Sequence, residues 1–169
     1  MKIRTAAMLS CACTLVAFAA GFAQQRSPTT PESVRGHFKS INRRVLEMAK
    51  DFPDDKYDFQ LSPEMRTFGA VIVHVASGNI YAAKAGRGEK VNWDELDPKD
   101  YKTKAQVVAL MEKSIADADA TLKNLPDDSF GKSVEPWLSV TEHSAEHYGL
   151  LVAYYRANGL TPPASRPKK

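Results

Sequence analysis

Thr141-Glu142-His143-Ser144-Ala145-Glu146-His147-Tyr148-Gly149-Leu150-Leu151-Val152-Ala153-Tyr154-Tyr155-Arg156-Ala157-Asn158-Gly159-Leu160-Thr161-Pro162-Pro163 reads as the last helix of a helical bundle. Its stop is well marked. Gly159 can take the left-handed conformation that ends a helix, and Leu160 can fold back on the final turn. Pro162 forbids continuation, and Arg156 suits the negative end of the dipole. Upstream, Val140, His143, His147, Leu150, Leu151 and Tyr154 fall on one stripe at helical spacing. Two of those inward positions hold histidine where packing alone would ask for leucine. Residues four apart stand one turn apart, roughly 6 Å between Cβ atoms. Two imidazoles so placed can grip one metal ion.

Working back toward the N-terminus, the turn at Asn124 to Lys132 separates this helix, from about Ser133 to Asn158, from a third one. Thr103-Lys104-Ala105-Gln106 is a capping-box signature. It opens a helix to about Leu125 with Val107, Leu110, Met111, Ile115, Ala118 and Leu122 facing inward. Gly86 to Lys102 is a long connection bearing one aromatic, Trp93. Before it, Ser62-Pro63-Glu64 predicts the start of the second helix, with Ser62 as cap and Pro63 at the first helical position. From Phe68 to Ala76 that helix is apolar or small except for His74. Phe52 to Phe59 breaks off a first helix, expected from about Glu32 to Asp51 with Val34, Phe38, Ile41, Val45 and Met48 on one face. His37 lies beside that face and reads as a surface residue.

Four helices of roughly 20 residues, each with one apolar face, make an all-α four-helix bundle. The first and third loops are expected to join antiparallel neighbours. The second connection is long enough to cross the bundle and leave helices two and three parallel.

With His74 near the middle of helix two and His143 and His147 near the middle of helix four, the three can meet on the bundle axis. Three inward imidazoles repel one another if charged and are hard to satisfy if neutral. A divalent cation resolves both problems and keeps a coordination position open. Neutral nitrogen donors suit zinc, nickel, iron(II) or copper better than calcium or magnesium. The predicted metal ligands are therefore His74, His143 and His147. Glu146 and Glu142 flank the pair as candidates for a general base or an orienting group, against the simpler reading of a solvated face. Asn79 and Tyr81 are further pocket-lining candidates.

The chain has 169 residues, enough for one domain. Residues 1–23 read as a cleaved secretory leader: Lys2 and Arg4, then an apolar run, then Gly21-Phe22-Ala23. A linker (24–31), the bundle domain (32–165) and a basic tail (166–169) follow. Export implies a periplasmic or extracellular protein with no stable membrane insertion after cleavage. Cys11 and Cys13 both lie in the leader, so the mature chain has neither disulfide nor thiol ligand. Without Lys2 and Arg4 the 23 basic residues drop to 21 against 20 acidic ones, so the formal charge falls from +3 to +1. No basic stripe with interleaved aromatics is present, which argues against a nucleic-acid partner.

Together these residues resemble the DinB-like family of bacterial four-helix-bundle metalloproteins. The resemblance spans about residues 32–165. It is carried by Phe52-Pro53-x-x-Lys56-Tyr57-x-Phe59, by Val71-Ile72-Val73-His74-Val75-Ala76, and by His143-x-x-x-His147-Tyr148-Gly149 followed by Tyr155-Arg156-x-Asn158-Gly159-x-x-Pro162-Pro163. It implies an up-down-down-up bundle and maps the family's metal triad onto His74, His143 and His147. Relatives with known activity are mostly metal-dependent transferases or isomerases using low-molecular-weight thiols. The export signal departs from those cytoplasmic members.

The expected function is that of an exported metal-dependent hydrolase or transferase acting on a small molecule. The alternative is a non-enzymatic periplasmic module that binds metal or a partner, in either case with a homodimer open to it. His143-Ser144-Ala145-Glu146-His147 also matches the inverted zinc-protease motif. Only about 20 residues follow His147, and none is acidic to serve as the third ligand.

Overall fold

A computed structural model describes residues 31–126 and 134–167. The leader, the linker up to Thr30, part of the third loop and the last two lysines lie outside it. Among the described residues four α-helices make up the body: α1 (Pro31–Asp51), α2 (Phe68–Gly86), α3 (Lys104–Lys123) and α4 (Glu135–Ala157). No strand occurs among the described residues. The apolar stripes read from the sequence face inward: Val34, Phe38, Val45 and Met48 of α1, Val107, Met111, Ala118 and Leu122 of α3, and Val140, Leu151 and Tyr154 of α4 are buried.

The predicted punctuation of α3 and α4 is present. Thr103 accepts from the Gln106 backbone, and the Gln106 side chain accepts from the Thr103 N–H, closing the capping box. Gly159 adopts a φ of 70°. Leu160 N–H then donates to Tyr155 O at 2.9 Å, and its side chain packs on the core, as a Schellman stop requires.

The start of α2 differs from expectation. Ser62-Pro63-Glu64 forms an isolated turn, in which the Ser62 hydroxyl donates to Glu64 at 2.8 Å. The helix begins five residues later than expected, capped by Thr67, whose hydroxyl accepts from Ala70 N–H at 3.1 Å. The first N–H groups of a helix have no partner within it. Here Phe68 and Gly69 donate theirs backward to Phe59 O (3.0 Å) and Tyr57 O (2.9 Å). The loop supplies those carbonyls, so the helix starts where the loop ends. His74 consequently lies in the second turn of α2 rather than near its middle.

Cross-helix contacts fix the directions. Phe38 meets Trp137, and Tyr155 donates to Met48 O, so α1 and α4 run parallel. Asn79 bonds Ser114, and Arg87 reaches Asp117 and Thr121, so α2 and α3 run parallel. Arg35 pairs with Asp119 near one end of the α1–α3 contact, and Lys50 with Glu112 further along it, in antiparallel order. The bundle is therefore up-down-down-up. Each of α1 and α2 packs against both α3 and α4, and α1 faces α2 across the diagonal, as α3 faces α4. This corrects the expectation that the first and third loops join neighbours. Residues 52–67 provide enough chain to cross the bundle end.

The motif fragments from either end of the domain meet at that crossing. Phe52 stacks on Phe68 with centroids 3.8 Å apart, and Tyr57, Tyr154 and Tyr155 surround the pair. Lys56 donates to Asn158 at 3.2 Å. These residues cement the fold rather than a site.

The centre of the bundle holds a polar layer with one residue from each helix: Asn42, Asn79, Ser114 and Ser144, all at most 2% exposed. Asn79 donates to Asn42 Oδ1 (3.0 Å) and Ser114 (3.2 Å). Asn79 is thus a core residue, not the pocket-lining one expected.

Candidate metal centre

The three histidines come together, but on the α2–α4 seam under the second connection, while the polar layer occupies the axis. Antiparallel packing sets the shared level. Trp137 lies over Gly86 at one end of the seam, and Phe68 meets Tyr154 and Tyr155 at the other. Between them His74 Nε2 and His143 Nε2 are 2.9 Å apart. The ring centroids are 4.7 Å apart for His74 with either partner and 4.5 Å for His143 with His147. One nitrogen from each ring can be chosen so that all three lie within 4.8 Å of one another. His37, by contrast, is exposed on α1.

Each imidazole is half-buried. Burial, then the neighbouring imidazoles, lowers the pKa of His143 from its ordinary value of 6.5 to about 4. Burial, then His74 and Arg66, does the same for His147. Both rings are therefore neutral near pH 7, the state a metal ligand needs. Nδ1 of His143 and Nδ1 of His147 are buried with no hydrogen-bond partner. An orphaned buried polar atom costs roughly 1–3 kcal/mol. Three imidazoles at this spacing, with the Nε2 atoms of His74 and His143 facing each other, fit a metal ion.

Residues 87–103 strap α2. Leu96 N–H donates to Ser77 Oγ at 3.1 Å, holding the strap down. This places Glu95 Oε1 3.0 Å from His74 Nδ1, off the direction a ring N–H needs, so that Nδ1 makes no hydrogen bond as it stands. Arg66 grips the same carboxylate at 3.0 and 3.2 Å. Trp93 lies 5.7 Å from His74 and 5.9 Å from His143, ring to ring, and 5.7 Å from Tyr81. Tyr81 does line the approach, as expected. The sequence reading singled out neither Glu95 nor Arg66 as a site residue, because both lie in aperiodic chain whose path no spacing rule gives. Glu142 and Glu146 are exposed; no hydrogen bond or ion pair joins them to the triad.

Two expected results follow from this geometry. Outer-shell carboxylates that orient a ligating imidazole typically contribute 10–100-fold in metal affinity, so Glu95→Gln should weaken metal binding by about that factor in a competitive chelator titration. The second concerns pH. In the unfolded chain His143 and His147 take up protons near 6.5, whereas in the folded metal-free protein they do so only near 4. Between those values the unfolded state binds more protons, so stability falls as pH is lowered through the window. Urea midpoints of the metal-free protein should drop from pH 7 to pH 4, and a His143→Gln/His147→Gln variant should flatten the slope.

A bundle carrying a three-histidine cluster on its α2–α4 seam defines a class of helical proteins whose clustered imidazoles could hold a metal ion. The model of the DinB superfamily matches residues 37–158, and the chain belongs to that family. No curated protein sequence matches it.

Proposed function

We propose that the protein is a metal-dependent enzyme, a hydrolase or transferase of a small-molecule substrate, with His74, His143 and His147 as the ligands. The observation that carries this reading is the triad itself: three half-buried imidazoles whose donor atoms lie within 4.8 Å of one another, with Nε2 of His74 and Nε2 of His143 2.9 Å apart. A bound divalent ion would supply a Lewis acid and an acidified water or thiol at its open position. The chain's own residues do the rest. Glu95, held by Arg66, stands 3.0 Å from His74 Nδ1, and the rings of Trp93 and Tyr81 line the approach beside His143.

Zinc, nickel and iron(II) all suit the donor set. The reading is tested by elemental analysis and metal titration of protein purified without a histidine tag. A transition metal bound one to one supports it; protein that neither carries nor takes up such a metal ends it. A metal-storage or interaction module is the second reading, and the cavity beside His143 favours turnover over it. A protease using Glu146 as base gains nothing from a side chain that points to solvent.

The reading extends to an exported protein. Its support is the leader pattern at residues 1–23. Among the described residues no helix is long and apolar enough to cross a membrane. N-terminal sequencing of mature protein from the native host should begin at Gln24; a chain retaining Met1 or its neighbours overturns the export reading.

A further inference from the structure

Beside the triad lies an apolar cavity of about 180 Å³ whose wall includes His143. Pro136 and Val140 of α4 and the rings of Tyr81 and Trp93 form much of the remainder, and no Lys, Arg, Asp or Glu lines it. Gly78, also in the wall, lets the His143 ring pack directly on α2. A Cβ there would stand 3.0 Å from His143 Nδ1 and 3.6 Å from Val140 Cγ2. Trp93 is 47% exposed, although its ring lies within 6 Å of two of the imidazoles. Large apolar side chains left open beside a concave site mark places where an apolar partner docks. An apolar cavity of about 150 Å³ is enough for a benzene ring. Burying a sugar hydroxyl or a phosphate against such walls would cost several kcal/mol with nothing to pair it.

We infer that this cavity is the subsite for a ring-sized apolar group of the substrate. The substrate class is then a small molecule with a polar, metal-binding head one or two bonds from an aromatic or branched aliphatic group. The head's role rests on the metal centre proposed above; the ring's place in the cavity does not.

The test compares benzohydroxamate with acetohydroxamate on the cobalt(II)-loaded protein, read from the visible spectrum. Wild type should bind the ring compound at least about tenfold more tightly, a difference of about 1.4 kcal/mol. Ser139→Phe changes an exposed rim residue to one that fills the cavity, and should bring the ratio close to one. Trp93→Ala, at an exposed position, should lower it too, and circular dichroism checks that both variants fold. A wild-type ratio near one, or a ratio unchanged in both variants, overturns the inference. Should cobalt fail to bind, the metal reading falls and the cavity is tested alone. The ¹⁹F signal of 4-fluorobenzyl alcohol should broaden with metal-free wild type and sharpen with Ser139→Phe. No broadening in wild type overturns the inference in that case.

Discussion

His143→Ala will cost more metal affinity than any outer-shell change, beyond the roughly 10–100-fold expected for Glu95→Gln. His143 is the hub of the cluster: its Nε2 stands 2.9 Å from that of His74, and its ring is 4.5 Å from that of His147. Two imidazoles of the triad would remain, on different helices. The same substitution should leave the metal-free fold no less stable. It removes a buried Nδ1 that has no partner, which offsets the packing the imidazole ring supplies. Affinity and stability therefore move independently, and that separates a ligand from a packing residue. Isothermal titration gives the first quantity and urea denaturation without metal the second. Metal at 100 times its dissociation constant should stabilise wild type by about 2.7 kcal/mol, and the variant should gain almost nothing at the same concentration.

Phe68→Ala carries the largest expected loss of stability, about 3–5 kcal/mol by urea denaturation. Phe68 is fully buried. It stacks on Phe52 and meets Tyr57, Tyr154 and Tyr155 edge-on. Rings in these arrangements contribute beyond the area they bury. The position also matters for the site. Phe68 opens α2, and its N–H is tied to Phe59 O. Releasing this end loosens the α2–α4 register that brings His74 level with His143. Phe68→Ala should therefore weaken metal binding too, whereas Leu138→Ala, at an exposed position on α4, should change neither quantity measurably.

The parts of this architecture that rest on local chemistry were legible in the residues themselves. The capping box at Thr103 and Gln106 and the left-handed stop at Gly159 depend only on a few adjacent side chains and backbone angles. Ser62-Pro63-Glu64 is instructive because it carries a sound local signature and still does not start the helix. Its side chains satisfy one another in a turn, and the first N–H groups of α2 find acceptors across the loop. The polar layer was missed for a related reason. Asn42, Asn79, Ser114 and Ser144 interrupt four separate stripes, and only their meeting satisfies them.

What the sequence alone determined is which residues face inward and where helices α3 and α4 begin or end, because helical periodicity and capping act over a few residues. It also singled out His74, His143 and His147 as inward polar side chains that packing does not explain. Tertiary structure alone decided that these three meet on a seam rather than the axis. It likewise decided that Glu95, Arg66 and Trp93 surround them, since a long aperiodic strap can take many paths and only its hydrogen bond to Ser77 and the burial of Leu96 select one.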